Sequence, residues 1–127
     1  MPVDEEGGKV IRLNTGTRMT GNMAIGATTD ATANAELTGR ILGEELAAIG
    51  FNIDFAPVID VNNNPSNPVI GTRSFSDDPE TVASLGAAYS KGLAENNMRA
   101  QRRRNAAVQR SCTENLRHHQ RNALLFP

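Results

Sequence analysis

The chain has 127 residues, one domain's worth at most, with 13 basic and 14 acidic side chains and a formal net charge of −1. No whole-chain field draws it to nucleic acid or an anionic membrane, no apolar run reaches the ~18 residues of a membrane span, and the lone Cys112 excludes an intrachain disulfide or a cysteine zinc cluster. With four Phe, one Tyr and no Trp, any carbohydrate site here would rest on hydrogen bonds rather than on stacked indole faces.

In chain order, Pro2 and Val3 read as the end of a strand cut short at its start, so the N-terminus is expected to be truncated. The missing signal peptide therefore leaves a cytoplasmic and a cell-envelope or secreted location both open. Next comes an acidic turn, Asp4-Glu5-Glu6 before Gly7-Gly8, whose glycines permit backbone angles other residues resist. Asp4 and Arg12 could hydrogen-bond a polar ligand's hydroxyls or pair with each other; composition favours a solvated turn. The run lacks the alternating acids of a calcium loop, and no metal or other cofactor is expected.

Residues 31–49 carry Leu37, Ile41, Leu42, Leu46 and Ile49 at helical spacing, with Asp30 or Thr32 to cap the start and Gly50 just past the end. Glu44 and Glu45 are assigned to the solvated face. Residues 51–61, rich in β-branched and aromatic side chains, predict a buried strand, with Pro57 marking where ladder pairing stops. An Asn- and Pro-rich loop follows over 62–68, and then Arg73, in a loop between strand and helix. Its guanidinium offers fixed donors to ligand oxygens, or ties the loop to a nearby carboxylate such as Asp60. Asp78-Pro79 opens a second helix with Val82, Leu85, Tyr89 and Leu93 on its buried face. Strand, loop and helix in this rhythm predict an α/β fold of parallel βα units.

Residues 99–127 differ from everything before them. They hold seven of the thirteen basic residues, a single acid (Glu114), both histidines and the cysteine, without helical or strand period. Three readings stand: a basic tail for an anionic partner, a disordered or partly helical solvated tail, and an altered reading frame or mispredicted exon. Arg102-Arg103-Arg104 has no interleaved aromatics of the kind single-stranded nucleic-acid platforms use, and no nucleic acid is expected as a partner.

A complete catalytic constellation is not present in the sequence. Asp54 and Asp60 lie six apart on the predicted strand, placing their carboxyls ~20 Å from each other, too far for either glycosidase geometry. His118-His119 has no acid placed as a zinc or triad partner, and Ser111-Cys112 has no nucleophile-elbow glycines.

The runs VDEEGGKVIRL (3–13), TGNMAIGATTD (20–30), GEELAAIGFNIDFAPVIDVNNNP (43–65) and NPVIGTRSFSDDPETVASLGAAYSKGL (67–93) together resemble glycoside hydrolase family 3. The resemblance covers about residues 2–98, and the loop NPVIGTRSF points to its β-N-acetylglucosaminidase branch. It implies a partial (β/α)₈ TIM barrel over 1–98, incomplete at both ends, with 99–127 as a non-family tail. It further implies a retaining, metal-free removal of terminal β-linked N-acetylglucosamine, for instance from peptidoglycan fragments. By resemblance Asp4, Arg12 and Arg73 hold the bound sugar. The family's Lys-His-Phe-Pro-Gly-His-Gly motif, its Asp-Ser-His element and its nucleophilic aspartate are not found in the 127 residues, so the chain is expected to be inactive. The alternatives are a non-catalytic carbohydrate- or polyanion-binding module and a β-glucosidase-type relative.

Overall fold

The computed structural model describes residues 1–101. Its sheet has three short parallel strands in the order β1-β2-β3: β1 is Pro2–Val3, β2 Ile53–Asp54 and β3 Arg99–Ala100. Val3 stands beside Asp54, and Asp54 beside Ala100. Hydrogen bonds just outside the ladder extend the pairing, from Phe55 N–H to the Val3 carbonyl (2.9 Å) and from Gln101 N–H to the Asp54 carbonyl (2.7 Å). The sheet thus runs past the compositional boundary at residue 98 and includes the first residues of the basic segment. Cys112, His118 and His119 lie outside the described residues.

The predicted strand over 51–61 forms ladder pairs only at Ile53 and Asp54. Both neighbours are themselves two residues long, and Pro57 has no N–H to give a ladder. The remainder of the segment still enters the interior, with Ala56, Val58 and Val61 buried.

The helices follow from their ends and faces. Helix α1 (Asn22–Gly26) is a single short turn that sequence period does not reveal. Helix α2 spans Ala31–Ala48, as the 31–49 period predicts, with Asp30 at its N-cap. Asp30 makes no side-chain cap bond, however; its carbonyl accepts the Asn34 N–H at 2.9 Å. Helix α3 spans Pro79–Ala94. Here the cap is the predicted one: Asp78 Oδ2 accepts the Thr81 N–H at 2.8 Å, and Pro79 takes the first turn, where an N–H is not needed.

Helix α3 buries Val82, Leu85, Tyr89 and Leu93, as its period predicts. Helix α2 follows its apolar stripe in part: Leu42 and Leu46 are buried, Leu37 and Ile49 are exposed, and the buried face also holds Ala35, Thr38, Gly39 and Gly43. Contact with α3 is the reason. A Cβ on Gly39 would lie 2.1 Å from the Tyr89 carbonyl oxygen, and one on Gly92 would lie 2.1 Å from that of Glu36. The helices meet backbone to backbone, so the contact selects residues without side chains. Leu46, Tyr89 and Leu93 are wholly buried, and each of the two leucines so placed contributes about 1.5–3 kcal/mol. Phe75 meets Tyr89 edge to face, with ring centroids 6.3 Å apart. Among the described residues no helix is long and apolar enough to cross a membrane.

Candidate functional site

The chain leaves β1 directly into Asp4-Glu5-Glu6, and the turn that follows is fixed by its glycines. Gly7 (φ +78°) and Gly8 (φ +60°) occupy left-handed backbone, Val10 N–H donates to the Gly7 carbonyl, and Gly8 N–H donates to that of Met19. The acids are not the solvated turn that composition favours: Glu5 and Glu6 are 5% and 3% exposed.

Each buried acid has a distinct task. Glu5 Oε2 accepts the N–H groups of Arg12 (2.7 Å) and Leu13 (3.1 Å), tying the returning arm of the loop to its root. Its own N–H donates to Asp54 Oδ1 at 3.0 Å, which anchors the root to β2. Glu6 reaches across to Arg73: Nε donates to Oε2 at 2.8 Å and Nη2 to Oε1 at 2.6 Å. This is a two-point, charge-assisted contact between residues 67 positions apart. The tie to a carboxylate, one of the two readings of Arg73, is present, but the carboxylate is Glu6 rather than Asp60, whose charge acts on Arg73 more weakly than those of Glu6 and Asp4.

Arg73 closes a 3₁₀ turn, Gly71–Arg73, and is held from its backbone as well. Its carbonyl accepts Asn22 Nδ2 at 2.8 Å, and its Nη1 donates to the Val69 carbonyl at 3.2 Å. The hydrogen bonds that Arg73 donates to Glu6, and then the charges of Glu6 and Asp4, raise the Arg73 pKa against the opposing effect of burial. Arg12 is more exposed; its Nη2 lies 3.7 Å from Asp4 Oδ2, so the pairing foreseen for these two residues is present.

Asp54 stands behind this group and is completely buried. Burial raises its carboxyl from 3.8 to about 7, with the charges of Glu5, Asp4 and Glu6 adding to the rise and the bond from the Glu5 N–H opposing it.

The structure therefore places Asp4 beside Arg12, with its charge acting on Arg73, at the carboxyl end of the sheet, where the loops after β1 and β2 meet. An open pocket of about 260 Å³ lies between those loops, with Glu6, Lys9, Asn22, Thr72 and Arg73 in its wall. It offers cationic donors and backbone groups to a ligand rich in hydroxyl or carbonyl oxygens. Among the described residues no group of three or more His, Cys, Asp or Glu is arranged to hold a metal ion. Sequence reasoning did not identify Glu6 or Asn22 as part of the group. Their partner is Arg73, and no local pattern reports a contact across that separation.

Glu45 also departs from its assignment. Instead of pointing to solvent, its carboxylate accepts the Thr17 N–H and hydroxyl and clasps the loop over 14–18.

The family model described as Glycosyl hydrolase family 3 N terminal domain matches residues 1–117. Beta-hexosaminidase A of Pseudoalteromonas piscicida is 47% identical over 95 residues, which cover 72% of this chain and 16% of that protein. The structure is similar to that of a glycoside hydrolase family 3 beta-N-acetylglucosaminidase from Paenibacillus sp. str. FPU-7, with a TM-score of 0.75 and 46% identity over 78% of this chain and 19% of the other. It is also similar to NagZ from Neisseria gonorrhoeae, solved in complex with N-trifluoroacetyl-D-glucosamine, with a TM-score of 0.71 and 38% identity over 78% of this chain and 31% of that one. The chain thus spans less than a third of the length of each of these relatives.

Proposed function

This chain belongs to glycosyl hydrolase family 3, and from that premise we propose that it forms the sugar-binding edge of a (β/α)₈ barrel whose whole-protein activity is hydrolysis of terminal β-linked N-acetylglucosamine. The observation that carries this reading is the grouping of Asp4, Arg12 and Arg73 at one end of a parallel sheet, where the loops after β1 and β2 meet. In barrels of this kind the loops at the carboxyl ends of the strands build the site. The beta-hexosaminidase and beta-N-acetylglucosaminidase names of the relatives support the N-acetylglucosamine branch over the β-glucosidase alternative.

In this reading Asp4 accepts hydrogen bonds from sugar hydroxyls, and the two guanidinium groups donate to sugar oxygens. A carboxylate among cations suits a neutral, hydroxyl-rich ligand, because every hydroxyl both donates and accepts. General acid–base and nucleophilic groups supply the rate in glycoside hydrolysis, and positioning residues alone do not replace them. The 127-residue chain therefore binds the sugar without cleaving it.

The test is direct. The purified chain, incubated with 4-nitrophenyl N-acetyl-β-D-glucosaminide, is expected to release no nitrophenol above a blank. Titration with N-acetylglucosamine, followed by protein NMR, is expected to shift resonances of the loops over 4–13 and 70–75. Turnover would overturn the non-catalytic part of the proposal, and an unchanged spectrum at high sugar concentration would overturn the sugar site.

A further inference from the structure

We infer that Glu6 is a positioning residue: it takes up one edge of the Arg73 guanidinium and thereby decides which edge is presented to the ligand. The inference rests on the sugar-binding reading of Arg73 and goes one layer behind it.

The argument is a donor count. A guanidinium has five N–H groups in a fixed plane. Glu6 takes the edge formed by Nε and Nη2 with both carboxylate oxygens, at 2.8 and 2.6 Å, and the Val69 carbonyl takes one N–H of Nη1 at 3.2 Å. Three donors are thus bound by protein. The Nε–Nη2 edge is thus closed to a ligand, which leaves the Nη1–Nη2 end of the planar group. That end is the edge left for two neighbouring oxygens of a ligand, such as adjacent hydroxyls on one ring.

The geometry also makes Glu6 a firm support. The Glu6 side chain is 3% exposed and that of Arg73 21%, so water competes little for the shared edge, and Arg73 also stands in the wall of the open pocket. Asn22 Nδ2 on the Arg73 carbonyl fixes the backbone from the other side. A long, flexible side chain is thereby held at both ends before any ligand arrives, which removes most of the ordering cost of binding. Both Glu6 carboxylate oxygens are engaged by the guanidinium, so its effect passes through Arg73.

A double-mutant cycle on the full chain tests this, with N-acetylglucosamine as probe and calorimetry or NMR titration giving Kd. Glu6→Gln keeps the size but loses the charge and one acceptor, and is expected to weaken binding roughly tenfold. Glu6→Asp keeps the charge but shortens the reach, and is expected to fall between Glu6→Gln and the parent. In the Arg73→Gln background, Glu6→Gln should cause no further loss, because the group it positions is gone. The Arg73 Nε–H resonance should be slow to exchange in the parent chain and fast in Glu6→Gln, a change that needs no ligand. If Glu6→Gln proves unfolded, Glu6→Asp takes its place throughout the cycle.

Unchanged Kd in the folded Glu6 variant would overturn the positioning role. So would a loss of equal size with and without Arg73, which would make Glu6 a general structural support. Failure of the parent chain to bind sugar at all is a different result: it removes the sugar reading itself, and the positioning role falls with it.

Discussion

The two sides of this molecule are held together by opposite means. The α2–α3 seam is neutral and made by subtraction: Gly39, Gly43 and Gly92 let carbonyl oxygens approach where a methyl group would not fit. The strand-end loops are made by addition, with Glu5, Glu6 and Asp54 buried beside Arg73. A seam of the first kind fails when an atom is added; a cluster of the second kind fails when a charge is removed or created. The comparison shows which change each region feels most: altered charge at the buried acids, added volume at the seam.

The largest expected effect lies in the charged layer. Asp54 titrates near 3.8 when unfolded and at about 7 when folded, so the folded chain holds the proton more tightly. Its contribution is fully present below pH 3.8 and is lost as the pH rises toward 7, at about 1.4 kcal/mol for each pH unit crossed. Urea unfolding of the parent and of Asp54→Asn between pH 4 and 8 checks this. The Asn variant keeps an acceptor for the Glu5 N–H and should lack that downward slope; parallel profiles would show that the carboxyl is not so perturbed.

A smaller loss is expected at the seam. Gly92→Ala places a methyl carbon 2.1 Å from the Glu36 carbonyl oxygen, so the helices must part. Overpacking of this kind costs about 3 kcal/mol, read as a lower urea midpoint. A variant as stable as the parent would mean that the two helices can shift freely against each other.

The smallest effect tests whether burial, rather than charge, gives the loop cluster its role. Lys91 Nζ lies 2.7 Å from Glu36 Oε1 on the outer flank of the seam, a distance as short as those in the Glu6–Arg73 pair. Lys91 is exposed and Glu36 only half-buried, and pairs open to solvent contribute little. Lys91→Gln should leave the midpoint unchanged within error; a clear drop would show that distance matters more than burial here.

Much of the architecture was legible in sequence where one residue type has one physical use. Asp78-Pro79 announced the start of α3, and the spacing of Val82, Leu85, Tyr89 and Leu93 gave its inner face. The same logic gave the extent of α2 and its buried Leu42 and Leu46, but not the whole of its inner face. Counting apolar residues selected Leu37 and Ile49, whereas the contact face depends on glycines, which carry no hydrophobic signal. In the site, Asp4, Arg12 and Arg73 were singled out, but the burial of Glu5 and Glu6 was not. An acidic run looks solvated until the partners that bury it are known, and those partners, Arg73 and the N–H groups of Arg12 and Leu13, are set by the tertiary fold.

The strand order carries a kinetic consequence. The central strand at 53–54 has one partner at 2–3 and another at 99–100, so every pair in the sheet joins segments roughly fifty residues apart. Among the described residues the sheet holds no hairpin that could form early and serve as a template. On a ribosome adding ~5–20 residues per second, the first and second strands can be available for some seconds before the third emerges. In that interval the far edge of β2 lacks the pairing that Arg99 and Gln101 later provide, and α2 waits for the glycine-lined surface of α3. Sheet and seam are both completed by the same last third of the described chain.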